Sequence, residues 1–139
     1  MAASTHPELR SSCAIAASLD LLGDRWTLLV LRDLLLAAKT NFVDLAAEES
    51  IATSVLSDRL QRLLDVGLIA RVRDPHDGRR RIYLPRQPAL ELISTLVGLM
   101  EWGDANTAAE APFVVPPAGL ARDSLVASLI ADAETRLAD

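Results

Sequence analysis

IATSVLSDRLQRLLDVGLIARVRDPHDGRRRIY, residues 51–83, decides the fold of this 139-residue chain. Val55, Leu56, Leu60, Leu63 and Leu64 recur at the spacing of one helix face, and Ser54, Ser57, Asp58, Gln61, Arg62 and Asp65 fall on the other. An amphipathic helix over 53–65 follows. Gly67, just past its last turn, can take the left-handed conformation that ends a helix. Residues 68–73 then alternate as a strand does. Asp74-Pro75-His76-Asp77-Gly78 is dense in turn formers, and 81–84 alternates back. The unit is a helix, a hairpin over 69–84 and a basic tip. That is the outline of a DNA-reading helix followed by a wing.

Charge agrees with this outline. Residues 51–86 hold eight Arg and four Asp, net +4. The whole chain holds 14 basic and 19 acidic residues, so the remainder has six against fifteen, net −9. An acidic chain thus gathers its positive charge on one supersecondary unit, where it can neutralise phosphates whatever the base sequence. A hairpin that is merely solvated by its arginines is the alternative.

Half of the residues are hydrophobic, and Ala and Leu dominate over aromatics, which favours helices. The expected class is mainly α with a small β-hairpin. The polar start, MAASTHPELRSSC, carries no signal-peptide pattern, and the apolar runs are far short of the roughly 20 residues of a membrane span. One cysteine allows no internal disulfide, so a cytoplasmic setting and no membrane partner are expected. His6 and His76 are the only histidines, and no metal-ligand spacing, phosphate loop or Ser-His-Asp grouping occurs. The expectation is no enzyme, no catalytic residue, no cofactor and no metal.

Residues 1–8 read as mobile. Residues 9–22 read as a helix with Ile15, Ala16, Leu19 and Leu22 on one stripe. Asp24 caps a second helix over 25–38, apolar on most sides and therefore central. Asn41 caps a short helix over 42–48 with Phe42 and Leu45 inward, and a tight turn leads into the helix at 53. Two helices so joined make a helix-turn-helix. After the hairpin, 89–107 reads as one long helix. The stretch APFVVPPAG, 111–119, reads as an arm, and 120–138 reads as a last amphipathic helix. The domain reading is therefore 9–107 for the DNA-binding unit and 108–139 for the arm and last helix.

These words resemble the HxlR-type branch of the MarR-like winged helix-turn-helix regulators. The resemblance rests on Cys13, LDLLGDRWTLLVLRDLL at 19–35, the Phe42 to Leu45 pair, VLSDRLQRLLDVGLIARV at 55–72 and EWG at 101–103. The chain departs from the family pattern with Ala52 where Ser is usual, Ser54 where Arg is usual, and Cys13-Ala14 in place of Cys-Pro. The wing DPHDGRRR is closer to the general MarR pattern. The resemblance implies a dimeric regulator, most often a repressor, that binds double-stranded DNA and dimerises through its N- and C-terminal helices. It also implies Cys13 as a candidate redox sensor, since relatives use a cysteine there; a small buried residue is the other reading.

On the reading helix, Thr53, Ser54 and Ser57 are the candidates for base edges or phosphates, and Arg59 and Arg62 for phosphates. Arg59 has a second reading, a structural pair with an acid such as Asp33. Asp58 is expected to pair with Arg62 at i+4. Arg79, Arg80 and Arg81 would reach the backbone or the adjacent minor groove. Trp26, Met100 and Trp102 mark a candidate pocket for a small apolar or aromatic effector, or else simply pack in the core. The competing function is a winged-helix module that binds a protein or ligand without specific DNA recognition.

Overall fold

The structure is a computed structural model and describes residues 10–110 and 120–138. In chain order its elements are α1 (Ala14–Leu22), α2 (Thr27–Leu35), a 3-10 turn (Ala47–Glu49), α3 (Thr53–Asp65), β1 (Ile69–Arg73), β2 (Arg81–Pro85), α4 (Gln87–Leu90), α5 (Ile93–Asn106) and α6 (Arg122–Ala138). The fold is mainly helical with one antiparallel hairpin. The segments expected to be a mobile start, 1–8, and an arm, 111–119, lie outside the described residues.

α2 is the centre, as its apolar surface demands. Val30, Leu31, Leu34 and Leu35 are all buried. Against them pack Leu56, Leu60 and Leu63 of α3, Ile69 of β1, Ile93 and Val97 of α5, and Leu125 and Ala133 of α6. Each such leucine stabilises the fold by roughly 1.5–3 kcal/mol relative to exposure. α3 has the bounds its periodicity sets. At its end Gly67 takes φ 77°, the Gly67 amide donates to the Leu64 carbonyl (3.1 Å) and the Leu68 amide to the Leu63 carbonyl (3.0 Å). These two bonds form a Schellman cap, which turns the chain directly into β1.

Elsewhere the elements depart from expectation. The first helix begins at Ala14, not at 9. The second runs 27–35, not 25–38, because Ala38 is left-handed (φ 54°) and ends the helical path. The helix expected over 42–48 is absent. In its place are turns and the 3-10 segment, bracketed by left-handed Ala46 and Ser50. The cause is Asp33, whose buried carboxylate accepts the Ala46 amide at 2.6 Å and takes that donor out of any helical ladder.

The long helix over 89–107 is also broken. Bonds from the Ala89 amide to the Arg86 carbonyl and from the Leu92 amide to the Ala89 carbonyl, both 2.9 Å, tighten α4 into a single turn that redirects the chain into α5. α6 folds back over the body of its own chain. Arg136 Nη2 donates to the Leu35 carbonyl at 3.0 Å, a cation at the C-terminal end of α2, and Arg122 Nη2 reaches the Ser94 carbonyl at 3.3 Å. The stripe of α6 expected to seek a partner is thus covered within the chain. Ile15 and Leu19 of α1, 73% and 57% exposed, and Trp102 of α5, 62% exposed, are not.

Candidate nucleic-acid interface

Thr53, Ser54, Ser57, Asp58, Gln61 and Arg62 make the exposed face of α3. Ala52 occupies the N-cap and supplies no side-chain acceptor. The first amides of α3 therefore keep their donor capacity beside the hydroxyls of Thr53, Ser54 and Ser57, an arrangement suited to a phosphate or a base edge. Further along, Gln61 Nε2 donates to Asp65 Oδ1 (2.8 Å), which rigidifies the last exposed turn.

Arg59 is not available in the same way. Its Nε donates to Asp24 Oδ2 at 2.7 Å, and its Nη1 pairs with Asp58. Its structural partner is Asp24 rather than Asp33, and the partner of Asp58 is Arg59 rather than Arg62. Asp24 also accepts the amides of Trp26 (3.0 Å) and Thr27 (3.3 Å) and the Thr27 hydroxyl. One carboxylate therefore ties the start of α2 to the middle of α3. Arg62 stays exposed, with one long contact from Nη2 to the Asp20 carbonyl (3.4 Å).

Burial alone would raise the Asp24 carboxyl. Donation by the Thr27 hydroxyl, the Arg59 guanidinium and the Trp26 amide, with the charge of Arg59, outweighs it and holds the group at about 2, against an ordinary 3.8. A carboxyl depressed on folding stabilises the fold above its unfolded value and loses that contribution as pH falls from about 4 to about 2. Denaturant unfolding of wild type and Asp24→Asn should show their stabilities converging across that window. A gap that stays constant through it would mean the Asp24–Arg59 tie is not its source.

In the wing, register places Arg73 opposite Arg81 and Arg71 opposite Tyr83. Arg71, Arg73 and Arg81 therefore share one face of the hairpin, and all are exposed. Directly opposed like charges are unfavourable on a sheet, and an anion between them removes the repulsion. Arg79 and Arg80 are exposed at the tip. None of these five arginines forms an ion pair among the described residues. Asp74 and Asp77 are occupied in shaping the turn: their carboxylates accept the amides of His76 (2.8 Å) and Arg79 (3.1 Å). Arg71 and Arg73 were not among the sequence-derived contact residues, although period-two alternation from Ile69 would have placed them.

Behind the reading helix lies a buried charge cluster that periodicity did not reveal. Asp33 Oδ1 accepts from Arg32 Nε (3.0 Å), Lys39 Nζ lies 3.8 Å from Asp33 Oδ2, and Arg32 Nη1 binds Glu49 Oε1 (2.9 Å). The cluster anchors residues 46–49, the approach to α3.

The other candidates are scattered. Cys13 is exposed with a free thiol rather than buried, and its amide donates to Ser11 Oγ (3.1 Å). A cleft of about 290 Å³ does lie between α2 and α5, and Met100 lines it, but Trp26 and Trp102 do not. Trp26 is half-buried with the Arg25 guanidinium 4.8 Å from its ring centre, and Trp102 points away into solvent. Among the described residues no group of acidic, His and Cys side chains could hold a metal, and no helix is long and apolar enough to cross a membrane.

Comparison with known proteins matches residues 21–111 to the HxlR-like helix-turn-helix family. Over 91 residues the chain is 37% identical to the uncharacterised HTH-type transcriptional regulators Rv3095 of Mycobacterium tuberculosis and Mb3122 of Mycobacterium bovis. That alignment covers 66% of this chain and 57% of either relative, so the chain spans little more than half of their length. Among solved structures, PA1607, assigned as a transcription factor, superposes with a TM-score of 0.65 at 28% identity, covering 83% of this chain and 78% of that one. The reduced form of the regulator YodB from B. subtilis shares the fold at a TM-score of 0.56 and 20% identity, over 73% of this chain and all of its own.

Proposed function

Because this chain belongs to the HxlR-like helix-turn-helix family, we propose that it is a sequence-specific, DNA-binding transcriptional regulator that acts as a homodimer and represses its target. The observation that carries this reading is the pairing of two surfaces. The hydroxyl-bearing start of α3 is exposed, and the adjacent wing presents five arginines that form no ion pair among the described residues. A reading helix of this kind enters the major groove by its N-terminal half, while wing arginines hold the flanking phosphates. Soft hydroxyl contacts at Thr53, Ser54 and Ser57 supply part of the sequence preference, and the wing supplies most of the affinity. Arg59 acts in this scheme by orienting α3, not by touching phosphate.

The homodimer is supported by apolar side chains that stay exposed among the described residues and do not line the cleft, Ile15 and Leu19 on α1 and Trp102 on α5. Two reading heads related by a two-fold axis would require a palindromic operator.

Titration of operator DNA by fluorescence anisotropy at two salt concentrations tests the reading. With six or more phosphate contacts, affinity should fall about a thousandfold or more between roughly 50 and 200 mM salt. A flat salt dependence would favour a winged-helix module without DNA recognition. Sedimentation at micromolar protein should give a dimer, and a monomer there would remove the two-half-site arrangement.

A further inference from the structure

We propose that the cleft between α2 and α5 is a binding site for a lipophilic cation: a small amine whose apolar body fills the cleft and whose ammonium pairs with Asp104. The walls are Leu28, Leu29 and Leu36 on one side and Leu96, Leu99 and Met100 on the other. At about 290 Å³ the cleft is at the small end of ligand sites, which run from roughly 300 to 1,000 Å³.

Its charged groups choose the ligand. Only Arg32 and Asp104 carry charge among the lining residues. The Arg32 guanidinium binds two carboxylates, Asp33 and Glu49, and Lys39 Nζ lies 3.8 Å from Asp33 in turn, so the charge of Arg32 is offset within this cluster and Asp104 sets the sign of the site. Asp104 is exposed at the cleft and forms no ion pair among the described residues. The site therefore presents leucines and a net negative charge. An anionic ligand meets repulsion there, a neutral one gains burial alone, and a cation gains burial together with the Asp104 carboxylate.

The site has a route to the reading helix. Arg32, on the α2 wall, is bonded to the two acids that hold residues 46–49 in place ahead of α3. A ligand that binds the DNA-competent and DNA-incompetent arrangements of this wall unequally alters DNA affinity. This second step rests on the regulator reading above, whereas binding to the cleft does not.

Phenylbutylamine, phenylbutanol and phenylbutyrate share one apolar body and differ in charge. Each would be titrated by calorimetry, at low salt, into the full chain, Asp104→Asn and Gly103→Leu. Gly103 lines the cleft and a Cβ placed there meets nothing within 4 Å, so the position has room for a side chain that takes up cleft volume, and leucine has the higher helix propensity. The amine should bind about three- to fivefold tighter than the alcohol, as an exposed ion pair allows, and the carboxylate most weakly. Asp104→Asn should erase the amine's advantage and leave the alcohol unchanged. Gly103→Leu should lose all three ligands with thermal stability kept or raised. A preference for the carboxylate, an amine advantage that survives Asp104→Asn, or no binding to wild type would each overturn the site. Amine binding that leaves operator affinity unchanged would overturn the coupling alone, and absence of DNA binding in any condition would overturn the regulator reading instead.

Discussion

Asp33→Ala should destabilise the fold by about 3–5 kcal/mol, the range for breaking one member of a buried charge cluster. Asp33 is 0% exposed and serves three donors: Arg32 Nε at 3.0 Å, the Ala46 amide at 2.6 Å and, more distantly, Lys39 Nζ at 3.8 Å. Truncation takes one carboxylate from Arg32, leaves the Ala46 amide without its acceptor and opens a void beside α2. An unsatisfied buried donor alone costs about 1–3 kcal/mol. Ala46 would also keep its left-handed backbone with nothing to hold it there. Asp33→Asn separates the contributions. Its amide oxygen still accepts from Ala46 while the charge is lost, so its cost should fall between wild type and alanine. The check is urea unfolding of all three proteins, with DNA affinity measured at a temperature where each is folded. There the alanine variant should still bind DNA more weakly, because residues 46–49 no longer position α3. A loss below about 1 kcal/mol would show that Asp33 does not anchor the approach to the reading helix.

Arg80→Ala combined with Arg81→Ala should weaken binding to every DNA sequence about equally and lower the salt slope by about two per protomer. Both side chains are exposed and without a carboxylate partner among the described residues. A guanidinium on a phosphate carries little sequence information. The register adds a control. Arg81 faces Arg73 across the hairpin, so its removal relieves a like-charge contact and the variant should be at least as stable as wild type. Lost affinity then cannot be ascribed to unfolding. A changed sequence preference at unaltered non-specific affinity would mean that these arginines read bases.

The helix 53–65, its end at Gly67 and the hairpin with its turn were legible in the sequence because each depends on neighbours. Apolar spacing chooses between helix and strand, a glycine permits φ 77°, and Asp74 and Asp77 bond amides two residues ahead. The charge of the wing was legible for the same reason, since arginines facing solvent need no partner. The family resemblance rested on those same local words. Only the tertiary structure decided which charges stay free. Arg59 had several acids within a plausible reach, and the fold put Asp24, 35 positions away, against its Nε. Asp33 was one of three charges on the apolar helix read over 25–38, and nothing local showed that its acceptor would capture the Ala46 amide and replace the expected helix over 42–48 with a tight turn. The stripe of α6 read as a dimer surface, whereas in the fold it lies on its own chain, with Arg136 bonded to Leu35, 101 positions away. Periodicity reports that a side chain needs a partner. Which partner it finds depends on long-range packing, where several choices of similar local energy are resolved by the geometry of the whole.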